Sequence, residues 1–252
     1  MLQPYAAAAR PMNSQSLSRD RFANTRWSMV MHMAGTESPV ARDALGELAQ
    51  RYWHPVYAYV RRSGNPPATA KELTRTILEQ LLHDDGARQQ GASSGHYRHF
   101  LLERVRAYLA GGIAPTRAAP VLDVEAPADL ENRYLRDHLE AATPDEVFQR
   151  SFALVVLHRS LRRLRDEAAE TGHRDMYRAL EPYLARDPAP ANCEQITAQL
   201  HIRQMTLLLA LKRLRQRLRE LAAEELSDTV STADDLSSEQ DALLAVLEGL
   251  NA

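Results

Sequence analysis

Apolar residues in this chain of 252 residues return at steps of three and four, and no segment of strand length alternates apolar with polar. Ala44, Leu45, Leu48, Tyr52 and Tyr59 do so within Ser38–Arg62; Leu73, Ile77, Leu78, Leu81 and Leu82 within Ala68–His83; Phe100, Leu101, Val105 and Leu109 within Tyr97–Ala110. Such spacing gathers side chains on one side of a 3.6-residue helix, whereas a half-buried strand needs a period of two. The expected fold class is therefore all-α.

Helix-breaking residues divide the pattern. Pro55 interrupts the first periodic run, so a kink or break is expected there. Ser63–Gly64–Asn65–Pro66–Pro67 and Gly111–Gly112 read as turns, and Asp84–Ser94 as a loop. Further helices are expected over Thr143–Glu170, Arg174–Ala185, Cys193–Leu200, Arg203–Leu226 and Ser238–Leu250. Thr143–Pro144–Asp145–Glu146 carries a strong start signal: a capping threonine, proline at the first helical position and an acid three residues on. The polar residues 1–24 read as a disordered lead-in. Residues 113–142, opening with a Pro-rich and charge-poor stretch, read as a linker between two helical domains, 25–112 and 143–226.

Charge is unevenly placed. The formal net charge is −2, but no Lys or Arg follows Arg219 while nine acids do, which leaves residues 1–219 at +7. A basic body followed by an acidic tail, residues 227–252, points toward nucleic acid. No apolar run approaches the roughly 20 residues that cross a bilayer, and the N-terminus lacks the pattern of a secretory signal. The single cysteine, Cys193, cannot close an internal disulfide and fits a cytoplasmic setting. There is no glycine-rich phosphate loop, no Gly-x-Ser-x-Gly elbow and no His-Glu-x-x-His. His96 and His99 form at most two ligands, so no metal is assigned. No catalytic residue and no cofactor are assigned either, and an enzyme is not expected.

Gln195–Leu207 carries the densest information. Ile196, Leu200, Ile202, Leu207 and Leu211 are spaced for a short helix, a tight turn and a longer helix, the helix-turn-helix arrangement. In that motif the second helix enters the major groove, its early residues facing base edges and its cations facing phosphates. Six basic side chains lie between Arg203 and Arg219; if all met phosphates, log K would fall with log salt at a slope of about −5. His201 stands where the turn usually has glycine, at a cost of about 1 kcal/mol if φ is positive there. Arg203 stands at the N-cap, where Ser or Thr would contribute about 1 kcal/mol more.

Three segments carry a family resemblance: Thr25–Arg26–Trp27–Ser28, Arg51–Tyr52–Trp53–His54–Pro55–Val56–Tyr57–Ala58–Tyr59–Val60–Arg61–Arg62, and Tyr97–Arg98–His99–Phe100–Leu101–Leu102. They resemble the first domain of extracytoplasmic-function-like RNA polymerase sigma factors of the sigma-70 family, in the long planctomycete-type subgroup. Thr143–Glu220 is similar to the promoter-reading domain of the same family. The resemblance implies a region 2-like domain that binds core polymerase and melts promoter DNA, and a region 4-like helix-turn-helix domain that reads the upstream element.

By position, it implies that Ala68–Leu82 docks on a coiled coil of the β′ subunit, with Thr69, Lys71, Glu72, Leu73 and Thr76 at the contact. Tyr97–Arg117 would open the strands. Arg203, Gln204 and Thr206 would read bases, and Lys212, Arg213 and Arg217 would hold the DNA backbone. The implied partners are core RNA polymerase, promoter DNA, and an anti-sigma factor or a Ser/Thr kinase; no membrane is involved. Two departures stand out. Relatives open the docking helix with an acidic cluster, whereas this chain has Thr69–Ala70–Lys71–Glu72. Phosphate on Thr69, Thr74 or Thr76 would restore negative charge near that helix start. Relatives are also rich in cations after the third helix, where this chain has Gly111–Arg117. The alternative expectation is a degenerate sigma-like protein that keeps the fold, binds protein through its apolar second helix and reads no promoter. The acidic tail is expected to shield the basic helix.

Overall fold

The structure, a computed structural model, describes residues 39–83, 96–111, 127–138 and 143–249. The expected lead-in, the Thr25–Ser28 motif, the loop 84–94, and residues 113–126 and 139–142 lie outside the described residues. Among the described residues all regular structure is helical, apart from one isolated bridge between His96 and Val230. In chain order the helices are α1 (Pro39–Arg62), α2 (Pro67–His83), α3 (Tyr97–Leu109), α4 (Pro127–His138), α5 (Pro144–Glu170), α6 (Arg174–Leu180), α7 (Pro190–Leu200), α8 (Gln204–Ser227) and α9 (Ala233–Gly249). A single 3-10 turn, Glu181–Tyr183, follows α6. None of these helices is long and apolar enough to cross a membrane.

The local signals act where they stand. Gly64 and Gly111 take φ of +96° and +78° and stop α1 and α3. Thr143 and Glu146 form the reciprocal capping box at the start of α5. Pro55 does not break α1, which runs continuously from Pro39 to Arg62. Proline inside a helix costs about 3 kcal/mol. Around it Tyr52, Trp53, Val56, Tyr57 and Val60 are all buried, and burial of a large apolar side chain contributes about 1.5–3 kcal/mol. Packing on both sides of the lost hydrogen bond outweighs it.

The first core is aromatic. Tyr52 meets Tyr97 edge-on at 5.0 Å and stacks on Phe152 at 5.0 Å, linking α1, α3 and α5. The helix α4 falls inside the segment 113–142 expected as linker. It packs because Leu130 and Tyr134, four apart, reach that core. Glu131 accepts from the Tyr57 hydroxyl at 2.7 Å and pairs bidentately with Arg61, whose guanidinium lies over the Tyr134 ring. Residues 127–138 are thus a structural helix rather than linker.

Nor does the packing change at residue 143. Val147, Phe148, Phe152, Ala153 and Val156 of α5 belong to the first core, while Leu164 and Ala168 of the same helix pack with Tyr177 and Leu221. A third cluster, Leu180, Cys193, Ile196, Leu207 and Leu211, closes α7 on α8. One helix therefore runs through two cores. At its middle, Glu225 of α8 is buried among Arg159 (2.8 Å) and Arg163 (3.1 Å) of α5 and Arg51 (3.7 Å) of α1. Burial alone would raise the Glu225 carboxyl, but the hydrogen bond from Arg159 and the charge of Arg51 hold it below the usual carboxylate range.

The acidic C-terminal segment also packs. Leu243 is buried in the first core, with Leu236 and Val246 against it. Glu239, almost fully buried, pairs with Arg98 at 3.0 Å and His96 at 3.0 Å, and Asp235 reaches His96 at 3.3 Å. Just before α9, the Thr229 carbonyl accepts from the Tyr97 N–H at 3.0 Å. The expected shielding of the basic helix is not what these acids do; they hold α9 on α3.

Candidate nucleic-acid interface

The turn between α7 and α8 is built on His201, which sits at φ 52°, ψ 42° in the left-handed region. It is the one non-glycine residue at positive φ among the described residues. The Ile202 N–H donates to the Thr197 carbonyl across it, as in a left-handed helix stop. Histidine tolerates this region better than most residues, though worse than glycine. Arg203, extended at the N-cap of α8, makes no side-chain cap. Leu207 and Leu211 then turn inward onto Ile196 and Cys193, which fixes the angle of α8 on α7. Cys193 is thus a core residue, its thiol 3.9 Å from the Pro188 carbonyl.

With that face buried, the opposite face of α8 is set. Arg203, Gln204, Thr206, Lys212 and Arg213 are exposed, and none of the three cations engages a carboxylate among the described residues. Between them stand Met205, 75% exposed, with Leu208 and Leu209, 44% and 46%. These apolar side chains share the exposed surface with the expected base-reading residues. Thr206 and Arg213 border a groove of about 430 Å³ between α5, α6 and α8, whose apolar walls include Leu164, Met176 and Leu209.

Arg217 differs from the other five expected DNA contacts. Its guanidinium pairs with both oxygens of Glu167 at 2.8 Å and reaches Glu220 and Glu224 at 3.2 and 3.3 Å. The Glu167 hydrogen bonds raise the Arg217 pKa and hold the Glu167 carboxyl below its usual range. Arg215 is occupied too, by Asp187 at 2.7 Å and the Tyr183 carbonyl at 2.7 Å. Four cations remain of the six, and the salt slope they could support falls to about −3.6. Glu220 and Glu224 are visible as same-helix partners three and seven residues from Arg217. Glu167, fifty residues away, gives no such signal.

On α2, Thr69 and Glu72 are exposed and Lys71 and Leu73 half-buried. The Thr76 hydroxyl donates to the Glu72 carbonyl at 2.8 Å, and Glu72 pairs with Arg75 at 3.2 Å. Thr74 is different: it is fully buried, its hydroxyl without a partner. A dianion there would have to be desolvated inside the core, so the fold disfavours phosphate on Thr74, whereas Thr69 is exposed. In the expected strand-opening segment, Tyr97 and Phe100 are core residues, and Arg106 pairs with Asp145 at 2.7 Å. The rings of His96 and His99 lie 4.8 Å apart. Among the described residues no group of three or more His, Cys, Asp or Glu side chains is placed to hold a metal ion.

No family model, no curated protein and no solved structure matches the chain.

Proposed function

We propose that the chain is a sigma-type transcription factor: a non-enzymatic protein that engages core RNA polymerase through α2 and presents α8 to promoter DNA. The observation that carries the reading is the left-handed turn at His201 between two helices, from which Arg203, Gln204, Lys212 and Arg213 project into solvent. The sequence resemblance of Thr25–Ser28, of Arg51–Arg62 in α1 and of Tyr97–Leu102 in α3 supplies the polymerase half, with α2 assigned to docking by its position. In this reading Leu73 and Glu72 lie at the docking contact, and phosphate on Thr69 supplies negative charge at the third position of α2, where the helix dipole favours it.

The shared α5 and the packed α9 support a compact form of the factor in which the two halves move together. Promoter elements read by such a form lie at one fixed separation.

A second reading, a sigma-like regulator that binds protein and reads no promoter, is favoured by one observation: Met205, Leu208 and Leu209 occupy the exposed face of α8. Salt separates the readings. Promoter binding weakens with log salt at a slope near −3.6, while apolar docking on protein is nearly salt-independent. Fluorescence anisotropy of the full chain on a selected promoter library from 50 to 300 mM salt tests this. Sequence-specific binding with that slope supports the first reading, and salt-insensitive capture of polymerase without DNA specificity supports the second.

A further inference from the structure

Further along α5 from Phe152, three helices, α1, α4 and α5, wall a recess of about 460 Å³. Arg51 of α1, Arg133 and Arg136 of α4, and Arg159 and Arg162 of α5 line it, together with His158. Among the described residues, the carboxylates paired with these arginines line the recess nowhere, and two of them are shared. Asp137 serves both Arg133 at 3.8 Å and Arg136 at 3.0 Å. Glu225 serves Arg159 and Arg51, and Asp228 holds Arg51 at 2.9 Å. Arg162 is exposed and meets no carboxylate among the described residues.

A guanidinium carries five donors in a rigid fork, so an arginine held by a carboxylate keeps donors for a second acceptor. Holding the forks in advance removes much of the ordering cost of binding. Cationic character also reaches His158, which burial and the charge of Arg133 hold below the usual histidine range despite Asp137.

The lining limits what fits. The volume is that of a small-molecule site, larger than one phosphate needs. Among the described residues, Val155 is the one aliphatic side chain on the walls and His158 the one aromatic ring, so the lining offers far more hydrogen-bond donors than apolar surface. Gln50 adds an amide that can pair with hydroxyls. A recess between helices also suits a compact anion better than the extended backbone of a duplex.

We propose that this recess binds a small, polar phosphate monoester of the sugar-phosphate class, its phosphoryl group held by Arg133, Arg136 and Arg162 and its hydroxyls by Gln50 and His158. The site is independent of promoter recognition, since none of its residues lies on α7 or on the exposed face of α8.

Calorimetric titration of the full chain with glucose 6-phosphate, with glucose and NaCl at matched ionic strength as controls, tests it. The expected result is saturable binding of one equivalent, weakened at least tenfold in R136Q/R162Q. Both positions are exposed, so the variant's melting temperature checks that the fold is kept. The His158 ring resonances should move with the titration and its pKa should rise, as a neighbouring dianion favours the imidazolium. Absence of saturable binding, or binding undiminished in R136Q/R162Q, overturns the proposal. So does a variant that binds duplex DNA more weakly while the parent ignores glucose 6-phosphate, an outcome that makes the face a DNA contact.

Discussion

The two ends of α5 lie in different kinds of interior. At its start, Phe148 and Phe152 enter a core in which Tyr52, Tyr57, Tyr97 and Leu130 are fully or almost fully buried, and which draws on α1–α5, α8 and α9. Beyond its other end, five buried residues hold α7 to α8, and the same helix that is clamped there leaves Met205, Leu208 and Leu209 in solvent. The first region spends its aromatic residues on its own packing, including the Tyr97 and Phe100 that the resemblance would assign to DNA strands. The second keeps a minimal core and an unsatisfied surface. In the function proposed above, recognition falls to the helix-turn-helix and to the exposed part of α2, and the aromatic bundle is the rigid mount.

The contrast can be broken from either side. Phe148→Ala opens a cavity in the aromatic core and should cost about 4 kcal/mol, read as a lowered midpoint in urea, with helix α8 lost in the same transition because α5 is shared. Glu225→Ala leaves three arginines facing one another at the joint and should cost about 3 kcal/mol. It should also split the single transition into two, visible by comparing the fluorescence of Trp53, isolated by Trp27→Phe, with far-ultraviolet dichroism. His201→Gly relieves the left-handed turn and should stabilise the protein by about 1 kcal/mol. A loss instead would mean that the His201 side chain does more than occupy the turn. Met205→Ser with Leu209→Ser, both on the exposed face, should shift stability by less than about 0.5 kcal/mol. It should raise solubility and leave the salt slope on DNA unchanged, and a collapse of DNA affinity would place those side chains in the groove.

Acid sharpens the same comparison. Glu131, Glu167 and Glu225 are held below their ordinary value of 4.5 by arginine partners in the folded protein. A carboxyl whose folded pKa is depressed adds stability that is complete above its unfolded value and is lost as pH falls through the folded one. Urea midpoints should therefore be flat above pH 5 and fall below about pH 4.5. Glu225→Gln should flatten part of that fall.

Helix positions were legible in the sequence because their signals are local. Gly64, Gly111, the Thr143–Glu146 box and the His201 turn each act within five residues, and apolar spacing does the rest. What was illegible is long-range. Arg98 finds Glu239 across 141 positions and Arg51 finds Asp228 across 177, so nothing near either residue announces the pair. For the same reason the acidic C-terminus reads as a helical tail that shields the basic helix and α4 as linker: Pro127 and the residues before it suggest a connection, while Leu130 and Tyr134 need a partner surface to count as core. Pro55 misled because its local cost is overridden by burial on both sides. At the candidate interface the cations were legible, but their availability was not, since Glu167 removes Arg217 from outside the motif.

The most direct test of the central claim is titration of the unmodified full chain with core RNA polymerase by fluorescence anisotropy, with an ordinary sigma factor alongside. The account predicts saturable binding that Leu73→Asp abolishes and Thr69→Asp strengthens. No binding by the unmodified chain and none by Thr69→Asp would contradict it.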